Sequence, residues 1–214
     1  IQLAAERLKK KYLPSIDAET DLFITLTDTI VRQVEDIGNM VDEFSSFARM
    51  PRAVMKEIEL FDLVKEQVSL QETAHSDIDF FLEGVEEKIT VQCDARQLRQ
   101  VITNLLQNSV DSIATRNEAS KTHRGKIKIL LSIEERFGSI VISDNGKGLP
   151  KENRHRLTEP YVTTREKGTG LGLAIVAKIL EDHRGIFRIE DGGILGSGAT
   201  ATVKIPISDN LTRL

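Results

Sequence analysis

The chain reads as an α+β protein in three stretches. Residues 1–50 are expected to form an all-α helical hairpin, 51–56 a linker, and 57–214 a two-layer α/β sandwich with helices on one face of a mixed sheet. Three observations predict this. A run of apolar residues at steps of three and four continues from Phe23 to Ala48, too long and too narrow for an ordinary surface helix. After Pro51, short alternating runs arrive in pairs with helical segments between them, the pattern of a sheet covered on one side. Glycine-bearing clusters then stand where strands end and helices begin, which is where a site is built on such a frame.

In the first stretch, Ile1 to Tyr12 is helical, with Ile1, Ala4, Ala5 and Leu8 on one side and Lys9, Lys10 and Lys11 in the last turn, where cations suit the helix dipole. Leu13-Pro14-Ser15 breaks it, and Ser15 or Asp17 can cap a second helix. That helix carries Phe23, Leu26, Ile30, Val34, Ile37, Val41, Phe44 and Ala48 as a seam. From Asp17 to Ala48 it would rise roughly 45–50 Å. A helix of that kind needs partners, and two hairpins forming a four-helix dimer would bury the seam. The alternative is a helix folded back onto its own domain.

Met50-Pro51-Arg52 ends the helix. Glu57 to Leu60 alternates like an edge strand, and Phe61 to Gln71 has helical spacing. Ile78 to Leu82 and Lys88 to Gln92 are short strands around a turn at Gly84. Asp94 can cap a helix running through Ile113, with Gln97 at the capping-box position. Lys126 to Ile133 and Ser139 to Ser143 pair across Glu135 to Gly138. A polar, basic stretch over 146–170 follows, then a helix from Leu171 to Asp182 and strands from Ile186 to Glu190 and Ala199 to Ile205.

Bulk composition narrows the function. A net charge of −4 and a pI near 5.7 argue against a nucleic-acid surface. The single cysteine, Cys93, excludes an internal disulfide framework, fits a reducing compartment, and is expected to be a buried small hydrophobe. No apolar run approaches ~18 residues, so no span or contact with a membrane is expected of this segment. The chain opens on Ile1 with no signal peptide and no methionine, which suggests a piece of a longer protein.

Four clusters carry chemistry, and their order carries more than any one of them. In the helix after Asp94, Asn104, Asn108 and Asp111 stack on one face away from Leu98, Val101, Ile102 and Leu105. A solvated polar stripe would look similar. Asparagine is a mediocre helix former, however, and two at this spacing have no evident structural use. An amide oxygen is a hard, neutral ligand for Mg²⁺, which keeps phosphate oxygens and waters. Asp144, in Asp144-Asn145-Gly146-Lys147-Gly148 after an apolar strand, would be half buried and in need of donors. The exocyclic amino group of adenine is one, whereas guanine would turn a carbonyl toward the charge, so Asp144 can select ATP over GTP. Gly146 and Gly148 let the backbone approach the ring. Taken alone, the same five residues are a simple Asp-Asn-Gly turn.

Gly168-Thr169-Gly170-Leu171-Gly172-Leu173 opens a helix and lacks the ending of a Walker loop. Its backbone N–H groups can face phosphate oxygens. The stretch before it carries Lys151, Arg154, Arg156, Arg165 and Lys167, and a loop of that length in a compact domain suits a lid over 146–170. Gly196, Gly198 and Thr200 fit equally a ligand contact or a turn leading into the last strand.

These clusters resemble the N, G1, F, G2 and G3 boxes of sensor histidine kinases, within the superfamily of DNA gyrase, MutL and heat-shock chaperone ATPases. Glu159-Pro160-Tyr161 with Thr163-Thr164 is similar to the F box, and residues 1–50 are similar to the dimerisation and histidine-phosphotransfer hairpin. Ile1 to Leu8 and Val41 to Arg49 resemble nitrogen-regulation kinases of the NtrY type. The resemblance implies a Bergerat-type ATP-binding fold with ATP and Mg²⁺ as cofactors. It implies that Asn108 holds the metal, that Asn104 and Asp111 line the phosphate side, and that Asp144 reads adenine. Gly146, Gly148, Thr163, Thr164, Lys167, Gly168 to Leu173 and Thr200 would complete the nucleotide site. It also implies a homodimer through the hairpin, a response-regulator receiver domain as partner, and a cytoplasmic place below an inner-membrane sensor. Two departures stand out. Asp111 occupies a position where many of these kinases have Lys or Arg, so the phosphate-side cation would come from the lid. No histidine has the His-Glu and Asn-Pro context of the phosphoacceptor, neither His75 nor His123, His155 or His183, so the acceptor would precede Ile1.

Superfamily ATPases carry Glu where Asn104 stands, and asparagine cannot take a proton at neutral pH. Slow hydrolysis and a held γ-phosphate are therefore expected, the behaviour of a loaded phosphoryl donor. Two other readings remain open on the sequence: an ATPase driving conformational change, and a dimeric binding module governed by nucleotide occupancy.

Overall fold

A computed structural model describes residues 2–12, 20–85, 88–119, 124–152, 154–163, 168–192 and 194–208; the side chains of residues 2, 20, 36, 39, 42, 43, 46, 118 and 119 are outside that description. The expected caps Ser15 and Asp17 lie outside the described residues. The chain forms two compact units, residues 1–50 with 165–169, and residues 51–164 with 170–214.

The first unit is built on α1 (Gln2–Tyr12) and α2 (Thr20–Ala48). The two helices pack on one another, and Lys9 Nζ lies 2.6 Å from Asp28 Oδ1. Much of the expected seam of α2 is open: Leu26, Ile30, Ile37, Val41 and Phe44 are all exposed.

In the second unit, β1 (Lys56–Glu59), α3 (Leu60–Ala74), β2 (Ile78–Glu83), β3 (Thr90–Cys93) and α4 (Ala95–Ala119) come first. They are followed by β4 (Gly125–Glu134), β5 (Phe137–Asp144), α5 (Gly172–Asp182), β6 (Ile186–Asp191) and β7 (Ala199–Pro206). Five strands make one mixed sheet in the order β2-β4-β5-β7-β6. Alternate residues from Gly125 to Leu131 of β4 and from Ala199 to Ile205 of β7 are buried, so one face of these strands is covered and the other is more open. Ile127, Ile129, Ile140, Ile142, Val203 and Ile205 line the covered face beneath Leu98, Ile102, Leu106, Ile175 and Ile179 of α4 and α5. Each such side chain contributes about 1.5–3 kcal/mol on burial.

One expectation is corrected. The strands on either side of Gly84 do not pair with each other: β2 joins the large sheet parallel to β4, while β3 pairs antiparallel with β1 in a separate two-stranded sheet. Parallel pairing joins segments far apart in sequence, so nothing local in β2 signals it. Asp94 does cap α4, accepting from Arg96 N (2.9 Å) and Gln97 N (3.2 Å) through Oδ1 and from Val54 N (2.9 Å) through Oδ2. The capping box itself is not made. Gln97 donates instead to Pro51 O at 2.8 Å, and the N–H of Asp94 goes to His183 Nε2 at 2.9 Å. His183 is buried, with Nδ1 2.7 Å from Ile179 O. Cys93 is fully buried, and burial above all pushes its thiol up to about 12, so it is inert as a nucleophile.

Candidate functional site

The site grows from the end of β5. Period-two alternation puts Asp144 on the covered face opposite Ile127, where it is 4 % exposed. The sequence placed it half buried; the structure buries it and supplies its donors from the protein. Gly146 N (2.8 Å), Ala199 N (3.4 Å) and Ser112 Oγ (3.4 Å) all give to Oδ1. Burial raises the Asp144 carboxyl above its ordinary range, and Gly146 N, Ala199 N, Ser109 and Ser112 oppose that shift only in part.

Ser109 and Ser112 were not among the expected site residues. They follow Asn108 at steps that bring both toward Asp144, and the signal was there in two hydroxyls interrupting an otherwise apolar helix face. Ser112 also accepts Lys147 N at 3.2 Å through its carbonyl. A Cβ on the buried Gly146 would run into Ser112, so the turn needs glycine to lie against α4. Asn145 anchors the same turn from the other side: its Oδ1 accepts Lys126 N at 2.8 Å, its Nδ2 donates to Arg124 O at 3.1 Å, and its carbonyl accepts from Arg116.

On α4, Asn104 and Asn108 are both half-buried. Asn104 has a structural use after all, since its Nδ2 donates to Gly172 O at 3.3 Å and ties α4 to the first residue of α5. Asp111 accepts Gln107 Nε2 at 2.8 Å. Helix α5 starts without a capping side chain, behind Leu171, whose own side chain is buried in the core. A Cβ on Gly172 would meet nothing within 4 Å, so space lies beside the helix start, with Leu173 half-buried next to it. Gly170 is different. At φ +71 its missing Cβ would stand 2.6 Å from the carbonyl carbon of Tyr161, and its carbonyl accepts Tyr161 N at 3.0 Å.

Thr200 is a correction. It sits one residue past the position that meets Asp144, so its side chain belongs to the open face, where Thr200 Oγ1 lies 2.8 Å from Ser143 Oγ and donates to Gly192 O at 2.7 Å. Ala199, through its backbone N–H, is the β7 residue on the Asp144 side. Of the expected lid residues, Thr163 is exposed, Gly168 and Thr169 fall in the unit of residues 1–50, and Thr164, Arg165 and Lys167 lie outside the described residues. Arg154 pairs with Asp191 and Arg156 with Glu159 at 2.8 Å, within and after a 3-10 turn over Arg154–Arg156. Gly148, at φ +77, begins that loop.

Among the described residues no group of three or more His, Cys, Asp or Glu could hold a metal by itself. What converges is a buried carboxylate in a nest of hydroxyls and N–H groups, two amides on one helix, and an uncapped helix start beside open space. That set suits an adenine nucleotide.

Comparison with known proteins agrees. Residues 93–209 match the family described as histidine kinase-, DNA gyrase B-, and HSP90-like ATPase, and the chain belongs to it. Within that family the chain is 45% identical over 193 residues to the nitrogen regulation protein NtrY of Azorhizobium caulinodans, covering 89% of this chain and 24% of that one. It is 38% identical over 209 residues to a putative sensor histidine kinase NtrY-like of Rickettsia conorii, covering 98% of this chain and 33% of that one. The chain therefore spans about a quarter to a third of these relatives, and it carries a histidine kinase-type ATPase domain. The nucleotide-free catalytic domain of histidine kinase ThkA superposes with a TM-score of 0.62 at 29% identity, over 72% of this chain and 95% of that one. Histidine kinase ThkA in complex with response regulator protein TrrA shares the fold over 97% of this chain and 57% of that one, with a TM-score of 0.71 at 24% identity. No described helix is long and apolar enough to cross a membrane.

Proposed function

We propose that the chain is the cytosolic ATP-binding core of an NtrY-type sensor histidine kinase, which binds Mg-ATP and passes the γ-phosphate to a histidine upstream of Ile1. The observation that carries this reading is the buried Asp144 carboxylate, set by Gly146 N, Ala199 N and Ser112 and facing α4. Adenine's amino group gives it one more donor, whereas guanine's carbonyl in that place would set one acceptor against another and be repelled. Asn108 supplies a neutral oxygen to Mg²⁺, which would neutralise phosphate charge there. Asn104 and Asp111 flank the phosphates, and Gly172 leaves room for them beside the N–H groups of α5. The loop over 146–170 is the lid.

Asn104 donates to Gly172 O and cannot take a proton, so no side chain at that position activates water. Hydrolysis is slow and the donor waits for an imidazole, because phosphoryl transfer is mostly positioning and charge neutralisation. The exposed seam of α2 pairs two chains, the acceptor histidine belongs to that helical bundle, and a response-regulator receiver takes the phosphate onto its aspartate. Nucleic acid has no part in this.

The chain mixed with radiolabelled ATP, Mg²⁺ and a longer NtrY-type protein bearing the upstream helix should place acid-labile label on a histidine of the longer protein. The chain alone should stay unlabelled. Fast release of free phosphate with no labelled protein would replace the kinase reading with that of an ATPase driving conformational change.

A further inference from the structure

We propose that Asp191 is the positioning residue that sets the course of the chain through Leu149, Pro150 and Arg154 as it leaves the sheet, an assignment that, in its effect on nucleotide, rests on the reading above. Asp191 ends β6 and is the register partner of Ala199 in β7. Its backbone is held: Gly192 N–H donates to Gly198 O at 2.8 Å, and Gly192 O accepts Thr200 Oγ1 at 2.7 Å. From that fixed point the carboxylate takes two donors of the loop. Oδ1 accepts Leu149 N at 2.7 Å, and Oδ2 pairs with Arg154 Nη2. Arg154 Nε donates meanwhile to Pro150 O at 2.8 Å, so Leu149, Pro150 and Arg154 gather around a single carboxylate. Gly148 makes the approach possible, because a Cβ there would stand 3.1 Å from Asp191 Oδ1 and 3.2 Å from Gly198 O.

The side chains of Arg154 and Asp191 are 45% and 40% exposed, and an ion pair that exposed adds little by itself. The backbone N–H of Leu149 is what turns the pair into an anchor, since a carboxylate holding a main-chain donor fixes the chain and not only a side chain. The rung that carries Asp191 also carries Ala199, whose N–H gives to Asp144 Oδ1 at 3.4 Å. One strand pair thus places both the carboxylate that holds the loop and the backbone donor of the carboxylate that reads the base.

Hydrogen exchange on the nucleotide-free chain tests the anchor directly. In Asp191→Ala the amides of residues 149–157 should exchange roughly tenfold faster, the loss expected for one charge-assisted hydrogen bond, with β4, β5 and α4 unchanged. Asp191→Asn keeps an oxygen for Leu149 and loses the ion pair, so it should loosen 154–157 alone, and Arg154→Ala should copy it. ATP affinity of Asp191→Ala should fall severalfold while adenosine affinity stays the same, because the loop meets phosphates and not the base. Unchanged exchange over 149–157, or equal losses for ATP and adenosine, would overturn the assignment. A wild-type chain that bound neither ligand would remove the nucleotide reading, and the exchange comparison would still decide the anchor.

Discussion

A carboxylate buried at the end of a core strand is a poor choice for stability, and Asp144 is one. Burial raises its pKa above the ordinary 3.8, so the folded chain holds that proton more tightly than the unfolded one. Its contribution to stability is present below the unfolded value and lost as pH rises through the folded value. At neutral pH burying this group therefore opposes folding. Asp144→Asn should therefore raise the melting temperature of the nucleotide-free chain at pH 7, with the gain shrinking as pH falls toward about 4. The same change should weaken ATP by roughly ten- to a hundredfold and flatten the preference over GTP. A lower melting temperature at pH 7, or equal losses for ATP and GTP by calorimetry, would contradict this. Asp94 behaves in the opposite way. Burial works against its charge too, but Val54, Gln97 and Arg96 N–H groups outweigh it and hold the carboxyl below its usual range. Its contribution is present above the unfolded pKa and disappears as pH falls through the folded one.

At the scale of elements, two glycines two residues apart serve different masters. Gly170 is required by the chain itself: left-handed backbone and the main chain of Tyr161 leave no room for a methyl group. Gly172 opens α5 beside empty space, where alanine is the better helix former by about 1 kcal/mol. Gly170→Ala should lower the melting temperature, by about 2 kcal/mol of stability or more. Gly172→Ala should leave it unchanged or raise it, yet weaken ATP binding through the space it fills. Thermal unfolding and calorimetry on both variants separate the two roles, and equal melting temperatures with equal affinities would dissolve the distinction.

At the scale of the molecule, α2 exposes Leu26, Ile30, Ile37, Val41 and Phe44 by 45–58%. A row of apolar side chains open to water along one helix is an interface in waiting, and each would contribute roughly 1–2 kcal/mol if a second helix covered it. Association has its own entropic toll, so the row must act as a unit. Sedimentation should find a dimer at roughly micromolar concentration. Ile30→Asp with Ile37→Asp should give a monomer with unchanged ATP affinity, since neither residue belongs to the second unit. A wild-type chain that stayed monomeric at ten times that concentration would remove the proposed pairing.

Much of the architecture was legible in local pattern. The period of α2, the cap at Asp94 and the hairpin of β4 with β5 each depend on residues close in sequence, where spacing and turn chemistry speak directly. The clusters at Asn104, Asp144 and Gly168–Leu173 could be read as one site from their order, with Asp144 at the end of a strand, Gly168–Leu173 at the start of a helix and Asn104 on the polar face of another. Register was harder. Thr200 and Ala199 differ by one position, and one position in a strand changes the face, so only the pairing with Ser143 and Asp144 told which of them faces the site.

The amino-acid order alone thus determined the elements, the chemical types gathered around the nucleotide site, and the family to which the chain belongs, because those follow from periodicity and from short motifs. Tertiary structure decided what touches what across long gaps. It placed β2 beside β4, Ser112 against Gly146, His183 on the cap of α4, and Leu149 on a carboxylate 42 residues away. Contacts of that kind are settled by how layers stack, and no local window of sequence contains both partners.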